Sequence, residues 1–418
     1  MERLAFRNFR MVDFAGDDFG SLIVEGGRIV KVMGGVGKRP EADITIDGKN
    51  LPKTAVLMPA FTDLHAHFRE PGFPQKETLE SASLSAVAGG FVTAVCMANT
   101  DPVMDLAEKT SALKARSDSL GLLDLYPVMS LTRGMEGREL SGIRDLRPGG
   151  KGERQFRSVL MLSEDGKDVL DEGIFLAAMA EAKRLGLPVS CHCDAGDTEA
   201  DAVSRAIELG CKAGCHVHIA HVSTKESLKV IRRAKGSKYV DLGFLLTCEV
   251  TPHHLGATVE DAVRMGEESF GRVNPPLATE EDRRAVEEAL LDGTVDAIAT
   301  DHAPHSRTDK ISGAPGFTGF DAAFAVCLTR LADMGLSRLS ALMSANPARI
   351  LGLHDRGRLA EDLRADLVIV DTDARWTVDP ARFKSKGKCT PFEGRELRGK
   401  VLMTVNRGRF VYQGGSDA

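Results

Sequence analysis

Residues 55–67, AVLMPAFTDLHAH, are almost entirely apolar until Asp63, His65 and His67 close the run. Such a run reads as a strand buried on both faces that ends in polar side chains. Seven more runs repeat the design: FVTAVCMANT (91–100), LDLYPVMSLT (123–132), RSVLMLSEDG (157–166), LPVSCHCD (187–194), HVHIAHVST (216–224), FLLTCEVTPHH (244–254) and VDAIATDHAPH (295–305). Their ends fall roughly 30 residues apart, about the length of one strand–helix unit. Between them lie helix-like stretches such as KETLESASLSAVAGG (76–90), DEGIFLAAMAEAKRLG (171–186), STKESLKVIRRAKG (223–236) and EEDRRAVEEALLDG (280–293). Eight such units predict an α/β fold, a closed (β/α)8 barrel of the TIM type. An open doubly wound sheet fits less well, because no glycine-rich phosphate loop follows the first run.

The two ends of the chain have another pattern. SLIVEGGRIVKVMG (21–34) reads as strand, Gly-Gly turn, strand, and RADLVIVD (364–371) and VLMTVNRGRFVYQGG (401–415) continue that style. EGGRIVKV and NRGRFVYQ each place a turn and an arginine before alternating apolar residues. Neither end is long enough for a sizeable core of its own. The expectation is a barrel of residues 60–355 and one small β-sandwich built jointly from residues 1–59 and 356–418, with GGSDA (414–418) frayed.

Composition limits the function. Of 418 residues, 43% are apolar and 27% charged, which suits a packed globular chain and excludes a disordered one. The formal net charge of −6 argues against a general nucleic-acid binder. No apolar run approaches the roughly 18 residues that cross a bilayer, and the start, MERLAFRNFRMVDF, lacks a signal-peptide core. Eight cysteines without short regular spacing do not read as a disulfide framework. Free buried thiols in a reducing compartment fit, so the expected location is the cytoplasm.

In a barrel of this kind the chemistry sits at the C-terminal ends of the strands. Those ends carry His65 and His67, then Asn99, Glu164 and Asp165, His192, His221, and finally Asp301, His302 and His305. His65 and His67 are two apart on a strand and face the same way. Imidazoles from several strands, with Asp301, suit a divalent ion such as zinc. By the same alternation Cys191 and Cys193 face the helices as small buried hydrophobes, and His216 and His218 point away from His221. His253 and His254 read as structural or supporting residues.

Six candidate ligands exceed one tetrahedral zinc, so two ions are favoured. Many barrel hydrolases bridge two ions with a carbamylated lysine at the end of strand four. Here that strand reads VLMLSEDG, so a carboxylate must serve: Asp165, with Glu164 as the alternative. Two divalent ions leave the site net positive, and Arg69 beside His305 could grip a substrate carboxylate through two parallel hydrogen bonds. Asp301 is placed to take a proton from water and return it to a leaving nitrogen.

The motifs MPAFTDLHAHFREPG, KETLESASLSAVAGGFVTAVCMANTDPV, SEDG, CHCD, AHVSTKES, TPHHL, NPPL, DGTVDAIATDHAPH and SKGKCTPFEG resemble the amidohydrolase superfamily, and within it the bacterial type I dihydroorotases. HFREPG together with NPPL, TDHAPH and SKGKxTPF carries the resemblance across nearly the whole chain. It implies zinc ligation by His65, His67, His192, His221 and Asp301, with Asp165 as the bridging aspartate, and one or two Zn2+ ions. It further implies that Arg69, Asn99 and His305 hold the carboxylate side of dihydroorotate. Asn274 and backbone groups near Gly316 and Phe317 would contact the pyrimidine ring. The implied reaction is the reversible cyclisation of N-carbamoyl-L-aspartate to L-dihydroorotate in pyrimidine biosynthesis. A homodimer and an association with aspartate transcarbamoylase fit the same resemblance, as does a small-molecule substrate with neither nucleic acid nor membrane as partner. The chain departs from the pattern in Glu164, where an aspartate is usual, in Ala98 in place of a proline, in a shorter loop near Gly316, and in a short segment after His192.

Overall fold

The computed structural model describes residues 3–35, 37, 41–148, 157–236 and 244–414. Residues 415–418, most of the stretch expected to fray, lie outside the described residues.

All eight runs become parallel barrel strands. They are β6 (Phe61–Ala66), β7 (Phe91–Cys96), β8 (Asp124–Pro127), β9 (Leu162–Ser163), β10 (Val189–Cys191), β11 (His216–Ile219), β12 (Leu245–Val250) and β13 (Ala297–Ile298). Hydrogen-bonded pairing runs β6-β7-β8 in one group and β9 through β13 in the other. Isolated parallel bridges, Met129 to Leu162 and Ala66 to His302, join the two groups at both edges and close the ring. Nearly every strand residue is buried, which is why the runs are continuously apolar instead of alternating.

The helices between strands start and stop on local signals. In α1 (Leu79–Ala88), α3 (Glu172–Leu185), α4 (Glu199–Ala213) and α5 (Lys225–Lys235), the side chains of Thr78, Asp171, Thr198 and Thr224 accept a backbone N–H of the first turn. Here α2 is the stretch Ala107–Leu120. Gly121, Gly186 and Gly214 end α2, α3 and α4 in the left-handed conformation. Strand ends and helix starts thus alternate along the chain, and the strand ends converge on one rim.

The two chain ends meet in a single hydrogen-bonded sheet. From the N-terminal part come β1 (Arg3–Asp13), β2 (Gly16–Glu25), β3 (Arg28–Gly34), β4 (Ile44–Asp47) and β5 (Ala55–Pro59); from the C-terminal part come β14 (Leu367–Thr377), β15 (Glu396–Asn406) and β16 (Arg409–Gln413). The order is β16-β15-β14-β5-β1-β2-β3, with β4 also on β1. Phe6, Phe9, Leu22, Ile29, Leu57, Leu367, Ile369 and Val405 form a core of their own under this sheet. The two similar hairpins touch at their turns: a Cβ on Gly27, at φ +78°, would lie 3.0 Å from the Arg407 carbonyl oxygen. Only glycine permits both that conformation and that approach.

One expectation changes. The opening run reads as a single strand, but it is two. β5 pairs with β1 and β14 in the terminal sheet, and β6 begins the barrel after Ala60, whose N–H donates to the Asp366 carbonyl. The mark in the sequence is Pro59, which lacks an N–H for a sheet ladder and stands where the chain changes sheets.

Candidate active site

The rim of the barrel gathers the sequence's candidates around a cavity of about 200 Å³. It is lined by His67, Arg69, Asn99, Asp165, His192, His221, Asn274, Asp301, His305 and Gly316, among others. Arg69, Cys193, His221 and Asp301 hold positive φ at the strand ends, a strained conformation for residues other than glycine. The chain turns sharply there, and the side chains of Arg69, His221 and Asp301 reach the mouth.

Among the described residues two triads have ligand atoms within 4.8 Å of one another: His65, Asp165 and His221, and His65, His67 and Asp301. His65 Nε2 stands 3.2 Å from Asp165 and 3.6 Å from Asp301. His67 Nε2 stands 3.3 Å from Asp301 and 3.6 Å from Asp165. His192 joins through its Nδ1, 2.8 Å from His221 Nε2 and 3.5 Å from Asp165. Yet, among the described residues, His65 Nε2 and His221 Nδ1 are buried with no hydrogen-bond partner. Buried polar atoms are rarely left so, and imidazole nitrogens converging with carboxylates suit a divalent cation.

Electrostatics agree with that use. Burial alone would raise the carboxyl pKa of Asp165 and Asp301, but the neighbouring imidazoles hold both well below the usual range, so both are ionised. Burial pushes His221 well down, reinforced by His192 and His65. Burial also pushes down His305, and Arg69 adds to it, bringing it to about 3. His305 is therefore neutral at pH 7, and the cation on that side of the cavity is Arg69.

The remaining candidates stand as follows. Asn99 links two of the others, accepting from His67 Nδ1 at 3.1 Å and donating to Asp165 at 3.1 Å. Arg69 Nε donates to the Pro304 carbonyl at 3.1 Å, and its Nη2 lies 3.1 Å from His305 Nε2. Asn274 Nδ2 lies 2.9 Å from His192 Nε2. Gly316 lines the cavity, but its N–H donates to the Arg272 carbonyl and its own carbonyl accepts from Lys310. Phe317 does not line it: the ring is buried against His253, and its carbonyl accepts from the Ala303 N–H at 2.8 Å. Glu164 turns away to accept the backbone N–H groups of Leu131 and Thr132. Cys191 and Cys193 are buried, with thiol pKa values pushed well above the ordinary value by burial.

A residue that sequence reasoning passed over holds the back of the site. Glu249, on β12, accepts from His65 Nδ1 at 3.2 Å and from His218 Nε2 at 3.0 Å. The line continues from His218 Nδ1 to Thr247 Oγ1 at 2.8 Å and on to His216 Nε2 at 2.8 Å. With Nδ1–H given to a carboxylate, His65 keeps its Nε2 lone pair for the site. The available signal was the charge itself, one glutamate inside the apolar run FLLTCEV.

The model of the amidohydrolase family matches residues 56–411. A dihydroorotase of Clostridium botulinum is 37% identical over 421 residues, 98% of this chain and 99% of its own length. One from Anaeromyxobacter dehalogenans is 36% identical over 438 residues, covering 97% of each. Among solved structures, an L-hydantoinase (dihydropyrimidinase) from Arthrobacter aurescens superposes with a TM-score of 0.85 at 24% identity, over 100% of this chain and 97% of its own. A dihydropyrimidinase from Brevibacillus agri gives 0.83 at 19%, over 98% and 95%. At that identity the structural likeness establishes the shared fold alone.

Proposed function

The chain belongs to the amidohydrolase family, and from that premise we propose that it is a dihydroorotase, interconverting N-carbamoyl-L-aspartate and L-dihydroorotate. The observation that carries this reading is the pairing of two features in one cavity: the imidazole–carboxylate cluster on one side and Arg69 with His305 on the other. The first suits activation of a cyclic amide, the second recognition of an anionic substituent.

In this reading His65, His67, Asp165, His192, His221 and Asp301 would hold zinc. The buried Nε2 of His65, without a hydrogen-bond partner among the described residues yet 3.2 Å from Asp165, supports it. The metal, when bound, would polarise the scissile carbonyl and lower the pKa of water. Arg69 binds the substrate carboxylate with its guanidinium fork, and Asn99 and His305 complete that side. Asp301, ionised at rest, takes the proton of the attacking water and delivers it to the departing ring nitrogen; cyclisation runs the same transfer backwards. Asn274 and the Gly316 turn bound the ring, and the buried Phe317 supports that turn. The protein would work in the cytoplasm as residues 60–355 forming the barrel, with residues 1–59 and 356–418 as the two parts of one β-sandwich beside it.

The test is metal analysis and turnover on one purified sample. Bound zinc and loss of dihydroorotate ultraviolet absorbance are expected. Metal-loaded protein that ignores dihydroorotate but opens hydantoin or dihydrouracil would replace this reading with the hydantoinase one suggested by the names of the structural neighbours.

A further inference from the structure

Lys310 is fully buried, an unusual place for an ammonium. It lies on the short helix Arg307–Ile311, in the loop that follows β13. None of its hydrogen-bond partners is a carboxylate. Its Nζ donates to three backbone carbonyls: Arg272 at 2.7 Å, Ala314 at 2.9 Å and Gly316 at 3.0 Å. Three N–H bonds meet three acceptors, so the group is satisfied, although its charge remains costly to bury. Burial accordingly lowers its pKa to about 8. The Phe317 ring, 5.3 Å from Nζ, supplies a further favourable face.

The three carbonyls come from two separate segments, and both reach the cavity. Arg272 is two residues before Asn274. Ala314 and Gly316 flank Pro315 in a turn whose Pro315 and Gly316 line the same cavity. The Gly316 N–H also donates to the Arg272 carbonyl at 3.0 Å, so that oxygen is shared by the turn and the ammonium. The Pro315 carbonyl in turn accepts from His305 Nε2 at 2.8 Å. The turn has little slack, since a Cβ on Gly316 would fall 2.5 Å from the Ala303 carbonyl oxygen. Lys310 itself does not line the cavity and contacts none of the imidazole–carboxylate cluster.

We propose that Lys310 is a positioning residue for the substrate half of the pocket. Its ammonium ties the segment leading to Asn274 to the Pro315–Gly316 turn and so sets where Asn274 and His305 meet the substrate. This rests on the dihydroorotase reading and adds a residue to it. Lys310 bonds to none of the proposed metal ligands, and its one link to them runs through Asn274 to His192, so losing it should weaken substrate binding and keep most of the metal.

The test compares wild type with Lys310→Met, which keeps the apolar stem and loses every donor, and Lys310→Gln, which keeps a neutral donor. Zinc content, thermal midpoint, kcat and KM for dihydroorotate are measured on each. For Lys310→Met, most zinc should be kept and KM raised roughly tenfold or more, the scale of lost charge-assisted hydrogen bonds. Its kcat should stay within a few-fold, and Lys310→Gln should fall between. An unchanged KM in a folded Lys310→Met overturns the proposal, as does parallel loss of zinc and kcat. Failure of both variants to fold does so too, because Lys310 would then be a residue of general stability. Absence of dihydroorotate turnover in zinc-loaded wild type would instead sink the substrate reading, so the two failures are distinct.

Discussion

The two ends of the barrel each gather buried charge, and they treat it oppositely. At the end away from the pocket, Asp124 opens β8 beneath Arg356, Arg364 and Arg407, all from the C-terminal part of the chain. Both of its carboxylate oxygens have guanidinium partners, and Arg364 also reaches Asp366 and Asn406. At the mouth, His65 Nε2, 3.2 Å from Asp165, has no hydrogen-bond partner among the described residues, and the backbone beneath three of the mouth residues is strained. Charge matched by charge binds the terminal sheet to the barrel. At the mouth, imidazole nitrogens and carboxylates converge within 4.8 Å of one another, a set suited to a divalent ion.

Removing a partner at each end should therefore have different consequences. Asp124→Asn removes the anion shared by the guanidinium groups, leaving Arg356 with Asp355 and Arg364 with Asp366, and should cost about 3 kcal/mol in denaturant unfolding. Zinc content and kcat of the folded fraction should not change; a change in either would erase the contrast. The same group sets a pH limit. Burial would raise the Asp124 carboxyl, but Arg364, Arg356 and Arg407 hold it far below its ordinary value. Its stabilisation is thus complete at neutral pH and is lost as pH falls below about 4, where the unfolded chain takes up the proton.

Asp301→Asn should act on rate alone. A loss of at least about a hundredfold is expected while most metal is kept, and near-normal turnover would remove Asp301 from the base role. Glu249→Gln acts behind the site: with the carboxylate behind His65 gone, zinc affinity measured by chelator competition should fall about 10- to 100-fold. An unaltered affinity would mean that the Glu249–His218 line is scaffolding only. The smallest effect is the most selective. Arg69→Met should raise KM for dihydroorotate by roughly tenfold and leave an uncharged cyclic imide little affected, and equal changes for both would count against the carboxylate assignment.

Much of this was legible before folding. Barrel strands announce themselves as apolar runs because both their faces are buried, and their polar last residues mark the rim, so His65, His67, His192, His221 and Asp301 could be picked out one strand at a time. The hairpins of the terminal sheet were equally readable from Gly26-Gly27 and Gly408. Less visible was anything that depends on a partner distant in the chain. Nothing near Lys310 says that its ammonium ends among the carbonyls of Arg272, Ala314 and Gly316. Nor does the sequence assign Glu249 to His65, 184 residues away. Phe317 lies next to the cavity in the chain, yet its ring is buried elsewhere.

The amino-acid order specified which residue types stand at which strand ends, since hydrophobic periodicity and turn chemistry act over a few residues. It also marked those ends as a metal-assisted hydrolytic site. Which nitrogen of His65 is left open, how the Gly316 turn is held and which sheet each half of the opening run joins depended on closure of the ring. Hydrogen bonds and desolvation act over about 3 Å in space, and separation along the chain does not report that distance.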